Sequence, residues 1–153
     1  PIIATESKAF STIFELLYVS THEYATYSFQ GTGYAEDIGS GPGKGTTLNI
    51  PLLPGAGDLE VKKAFAEQIE PALAKFRPEA LIIGAGFDGH KLDDMSGLLF
   101  STELYGYMGH RIADLGKRLC NGRVLSILEG GYHLPSLAAS VGEYCRGIIE
   151  GQQ

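Results

Sequence analysis

ALIIGAGFDGH, residues 80–90, is an apolar run that opens onto glycines and a single aspartate. Its start, Ala80 to Ile83, reads as a strand buried on both faces, the pattern of a parallel sheet. Further on, RVLSILEGGY, residues 123–132, repeats the arrangement and delivers a tyrosine instead. Between the two, from about Thr102 to Cys120, Leu104, Met108, Ile112, Leu115 and Leu119 recur at helical spacing. A strand, a crossover helix and a second strand make both strands point the same way. Asp88 and Tyr132 therefore emerge at one carboxyl edge, where open α/β sheets place their sites. An aspartate binds metal, and a tyrosine hydroxyl donates to a developing oxyanion. The neighbouring glycines let a ligand approach the backbone. These residues amount to half of a site.

Working outward, FELLYVSTH (residues 14–22) is predicted to be a buried strand ending at Ser20, Thr21 and His22. The glycines at 31, 33, 39, 41, 43 and 45, with Pro42, break any period between Glu23 and Thr46, which predicts a long functional or mobile loop. Thr47 to Leu52 reads as a short strand. Asp58 is the expected N-cap of a helix that buries Val61, Phe65, Ile69, Leu73 and Phe76, with Pro71 kinking it or marking its last turns. Asn121-Gly122 stops the next helix. Pro135 suits the first turn of a last helix, expected to bury Leu137, Val141, Cys145 and Ile148. No internal repeat is found. The expectation is one α/β domain over residues 1–153, three-layered, with a mostly parallel sheet flanked by helices.

Composition bounds the function. The chain has 153 residues, 44% hydrophobic and 20% charged, enough for one globular core. A net charge of −6 and a pI near 5.1 offer no general attraction to nucleic acid or anionic membrane. No apolar run reaches the roughly 20 residues that span a bilayer. Cys120 and Cys145 are isolated, each in a helical pattern that buries a thiol, so a reduced, cytoplasmic setting is expected. The glycine-rich stretch 39–45 lacks the Gly-Lys-Ser/Thr ending of a phosphate loop and leads into a strand.

With these elements placed, the chain resembles the carboxyl-terminal part of a histone deacetylase-like amidohydrolase, the family that includes acetylpolyamine amidohydrolases and the acetoin-utilisation protein. The matching stretches are VSTH (19–22), FQGTG (29–33), GSGPGKGTTLNIP (39–51), AGFDGHKLDDMSGL (85–98) and LEGGYHLPSL (128–137). The resemblance implies an arginase-deacetylase fold, present in part, and zinc-dependent hydrolysis of an acetyl amide such as acetyl-lysine or an acetylpolyamine. By resemblance Asp88 is one zinc ligand, and Tyr132 is the catalytic hydroxyl that polarises the carbonyl. The same resemblance implies that Phe29, Gly86, Met95, Gly130 and Gly131 line the substrate channel. Ser20 and Thr21 match positions that help hold a structural potassium or sodium ion, and Phe10 and Ile13 align with a second such site.

The family's other two zinc ligands and its paired histidines fall upstream of this stretch, and His22, His90, His110 and His133 show no metal-binding spacing. His22, His110 and His133 read as structural and His90 as a solvated loop residue. Asp93 and Asp94 are candidates for contact with a polar substrate at the rim. The isolated chain is therefore expected to be inactive. Two readings stand side by side: a deacetylase segment completed by an upstream half in cis or in trans, and a non-catalytic binding or assembly module of the same fold. In either, exposed strand edges predict a homo-oligomer.

Overall fold

The computed structural model describes residues 15–24 and 33–153. The element order is that expected: strand β1 (Tyr18–Glu23), strand β2 (Thr47–Leu52), helices α1 (Asp58–Ala64) and α2 (Glu70–Phe76), strand β3 (Leu81–Ala85), helix α3 (Thr102–Cys120), strand β4 (Val124–Leu128) and helix α4 (Leu134–Gly151). A turn of 3₁₀ helix at Gly41–Gly43 punctuates the loop before β2. Both strand pairings are parallel: β1 lies on β2, with Ser20 opposite Asn49, and β3 lies on β4, with Ala85 opposite Leu128. The chain is thus an α/β unit of parallel strands and helices.

Two local predictions change in detail. The first strand begins at Tyr18, later than Phe14, which lies outside the described residues. Asp58 is not the N-cap but the first helical residue, after Gly57, whose N–H donates to Glu60 Oε2 at 2.9 Å. The Asp58 carboxylate turns to the start of α3 instead, accepting from the N–H of Ser101 at 2.9 Å and from the Ser101 hydroxyl at 2.6 Å. Ser101 in turn caps α3 through the N–H of Leu104 at 3.2 Å. Pro71 marks the last turns, one of its two expected places: a widened π turn, Phe65–Ile69, joins α1 to α2 just before it, and the proline sits in the first turn of α2. That turn accommodates the donor proline lacks. Arg77, in the left-handed region at φ 58°, ends α2.

The core gathers Ile50 and Leu52 from β2, Val61, Phe65 and Ile69 from the first helical stretch, and Leu104, Tyr105 and Ile112 from α3. Helix α4 does not bury the expected face. Its buried residues are Ser136, Ser140, Tyr144 and Gly147, while Leu137, Val141 and Ile148 are half-buried and Cys145 is exposed. The cause is a close crossing with α3: a side chain on Gly109 would collide with the Tyr144 carbonyl oxygen, and one on Gly147 with that of Gly106. Small residues let the two backbones approach, and the larger apolar residues flank the seam.

Two surfaces are bare. One face of the β3–β4 pair presents Ile82 at 71%, Leu125 at 55% and Ile127 at 51% exposure. Such strands are patterned for cover on both faces. Between β1 and β3 lies an apolar groove of about 730 Å³, whose lining includes Val19, Thr21, Ile83, Ala85, Phe65 and Met108.

Candidate functional site

Strand β3 ends at Ala85, and the chain turns immediately through Gly86 and Phe87 to Asp88. Phe87, 3% exposed, fixes that turn. Its ring packs 4.9 Å from Tyr105 and 6.0 Å from Tyr144, and its carbonyl accepts from the Tyr105 hydroxyl at 3.1 Å. Burial first, then the charges of Asp88 and Asp93, push the Tyr105 phenol well above its ordinary range, so it stays a donor. The loop after β4 closes on this turn, the Phe87 N–H donating to Gly130 O at 2.8 Å. A Cβ on Gly130 would stand 2.7 Å from Asp88 Cγ. The glycine backbone therefore lies directly against the carboxylate, and the two strand ends meet as the sequence implied.

Two residues past Gly130 stands Tyr132, its side chain 60% exposed. Gly131, at φ 138°, sits in backbone space that side chains rarely adopt, and a Cβ there would meet Leu137 Cδ1 at 2.7 Å. Met95 is 57% exposed on the loop from β3. That loop is tied to β1, where Glu23, 8% exposed, accepts from the Gly97 N–H at 2.9 Å. Asp93 is not at the rim: it is 6% exposed and its carboxylate points inward onto the Tyr132 loop. Asp94 is exposed.

His22, His90 and His133 are tied into the fold by hydrogen bonds, His110 is exposed, and His90 corrects the sequence reading. It is 2% exposed, not solvated, because Tyr105 stacks beside it and both ring nitrogens are engaged. Nδ1 accepts from the Leu92 N–H at 3.1 Å, which leaves Nε2–H to donate to Thr102 Oγ1 at 3.1 Å. His22 donates from Nε2 to Gly33 O at 2.8 Å and accepts from the Ser20 hydroxyl at 2.8 Å. Burial lowers the pKa of both. His133 caps α4, accepting from the Ser136 N–H at 3.3 Å.

Asp88, Gly86, Gly130, Gly131 and Tyr132 thus share one corner of the molecule. Ser20 and Thr21 sit on β1, the former fully buried. Phe29, Phe10 and Ile13 lie outside the described residues. Among the described residues no three His, Cys, Asp or Glu side chains group closely enough to hold a metal ion. Asp88 offers a single carboxylate where a catalytic zinc needs about three protein ligands, so these residues alone do not fit the metal. Sequence reasoning missed Tyr105, Glu23 and the inward turn of Asp93, since each acts on a loop remote in sequence.

A family model described as the histone deacetylase domain matches residues 6–148. Histone deacetylase 10, chloroplastic, of Oryza sativa subsp. japonica is 41% identical over 135 residues, which are 88% of this chain and 30% of that protein. A histone deacetylase-like amidohydrolase of Pseudomonas aeruginosa is 31% identical over 137 residues, 88% of this chain and 36% of its own length. The crystal structure of an acetylpolyamine aminohydrolase from Burkholderia pseudomallei superposes at TM-score 0.85 and 29% identity, covering 93% of this chain and 40% of that one. The chain therefore spans about a third of these curated relatives. By sequence and by fold alike, it belongs to the histone deacetylase family.

Proposed function

We propose that this chain supplies part of the active site of a deacetylase acting on an acetylated amine, acetyl-lysine or an acetylpolyamine, with Asp88 as one zinc ligand and Tyr132 as the hydroxyl that polarises the acetyl carbonyl. The observation that carries the reading is the backbone of Gly130 laid against the Asp88 carboxylate, which joins the loop of the acid to the loop of the tyrosine. Zinc, if Asp88 held it together with ligands from the rest of the protein, would supply Lewis-acid polarisation and an activated water. The hydroxyl of Tyr132 donates to the carbonyl oxygen and gains strength as that oxygen becomes negative, the differential stabilisation that lowers a barrier. Gly86, Gly130, Gly131 and Met95 are assigned to the substrate channel, where the missing side chains of Gly130 and Gly131 give their space to the Asp88 carboxylate and to Leu137; Phe29, outside the described residues, is assigned there on its sequence motif alone. The remaining ligands and the proton-transferring histidines come from the rest of the protein, in cis or in trans. The groove between β1 and β3, flanked by parallel strands, suits that missing part.

The test separates the two residues in the full-length protein. Asp88→Ala is expected to lose zinc and activity together. Tyr132→Phe is expected to keep zinc and substrate binding while kcat falls by roughly 10² to 10³, the usual loss for one oxyanion donor. A Tyr132→Phe protein without zinc, or an Asp88→Ala protein with full zinc and normal turnover, contradicts the assignment. The same metal analysis reports any potassium or sodium held near Ser20 and Thr21.

A second reading, a non-catalytic assembly module, is favoured by the bare apolar face of Ile82, Leu125 and Ile127. Under either reading the lone chain self-associates through this face or its strand edges. A monodisperse monomer in light scattering speaks against that. A reduced compartment suits Cys120 and Cys145, both free thiols. No helix among the described residues is long and apolar enough to cross a membrane.

A further inference from the structure

Tyr132 poses a positioning problem. Two glycines precede it, one at φ 138°, so its backbone is loosely constrained by its own sequence. No hydrogen bond to its hydroxyl is formed among the described residues, and the side chain is 60% exposed. Its direction must be set from elsewhere. The Asp93 carboxylate does this: Oδ2 accepts from the Tyr132 N–H at 2.6 Å and from the His133 N–H at 3.0 Å. The other oxygen, Oδ1, accepts from the Met95 N–H at 3.1 Å, and the Asp93 N–H donates to His90 O at 2.8 Å, so the acid is itself held in the loop that carries Asp88. Hydrogen bonds to an ionised acceptor are about twice as strong as neutral ones. The position also lies at the amino end of α4, an 18-residue helix whose dipole favours an anion there. Burial opposes the charge, but the three backbone donors outweigh it and hold the carboxyl below its ordinary range.

We propose that Asp93 is a positioning residue for the deacetylase reaction: its carboxylate clamps the backbone of Tyr132 to the loop of Asp88 and so sets where the tyrosine hydroxyl meets the substrate carbonyl. The proposal rests on the catalytic reading of Tyr132. A misplacement of about 1 Å costs on the order of 10²-fold in rate, which sets the scale of the effect.

The experiment is a double-mutant cycle in the full-length zinc enzyme with Asp93→Asn, Tyr132→Phe and both together, joined to amide hydrogen exchange on the metal-free protein. Asp93→Asn keeps the size of the side chain but places an N–H₂ donor against one of the backbone donors. It is expected to lower kcat by roughly 10- to 100-fold with KM and zinc content unchanged. In the Tyr132→Phe background the same substitution is expected to cost almost nothing further, because the group it positions is gone. The Tyr132 and His133 amides are expected to exchange slowly in the unsubstituted protein and at least about 10-fold faster in Asp93→Asn. Losses that multiply in the double mutant, or a fall in zinc content, reduce Asp93 to a structural residue and overturn the proposal. Fast exchange of both amides in the unsubstituted protein overturns it even where Asp93→Asn fails to fold. A Tyr132→Phe enzyme with unchanged kcat overturns the catalytic reading itself, an outcome distinct from a Tyr132 effect that is intact but independent of Asp93.

Discussion

His22 and His90 are held neutral by the fold, and the consequence is a stability that depends on pH. Burial lowers the pKa of each below the ordinary value of 6.5. The unfolded chain therefore binds protons first as pH falls, and stability rises with pH across this window. We expect the melting temperature of the protein to hold above about pH 7 and to decline as pH drops below about 6.5, with His22→Gln/His90→Gln removing part of that slope. A melting temperature flat from pH 7.5 to 5 contradicts the assignment. At this scale the placement of Asp88 and Tyr132 just past two strand ends was legible, because a polar side chain at the end of an apolar run is a local signal. His90 was not: its neighbours Tyr105 and Thr102 come from α3, and nothing in the string HKLDD tells a solvated loop from a buried one. The same is true of Asp93, whose partners Tyr132 and His133 lie about forty residues away.

Helix α4 shows what periodicity reads and what it misses. Its limits were legible, since Pro135 occupies the first turn, and so was its helical character. The inner face was not. Leu137, Val141, Cys145 and Ile148 keep helical spacing, yet the contact with α3 runs along the stripe of Ser136, Ser140, Tyr144 and Gly147, one residue earlier. A seam of small residues has no hydrophobic signature, and its driving force is backbone approach and dispersion. The energetic consequence is specific. Gly147→Ala forces a methyl group onto the Gly106 carbonyl oxygen, a backbone atom that cannot swing away. We expect it to destabilise the protein by about 1–3 kcal/mol or more, as overpacking does. Gly142→Ala, in open space on the same helix, is expected to be neutral or slightly stabilising, since alanine favours the helix. Equal melting temperatures for the two variants contradict this account of the helix seam.

At the scale of the whole molecule, the parallel α/β order was readable because strands and helices alternate in both period and length. The division of the strands into two pairs was not, because pairing is a long-range property that no local pattern records. It leaves an apolar groove between β1 and β3 and a bare face on Ile82, Leu125 and Ile127. Asp88 and Tyr132, the proposed ligand and the proposed donor, stand at the corner of this open framework, and no three His, Cys, Asp or Glu side chains group closely among the described residues. The central claim is that the chain carries a real but partial deacetylase centre, and one comparison tests it most directly. Zinc content and turnover of an acetyl-lysine reporter are measured for residues 1–153 alone and for the full-length protein, each beside its Tyr132→Phe variant. The lone chain is expected to hold no stoichiometric zinc and to show no turnover above its variant, whereas the full-length protein holds zinc and turns over the reporter in a Tyr132-dependent way. Tyr132-dependent turnover by the lone chain, or a zinc-free and inactive full-length protein, would contradict it.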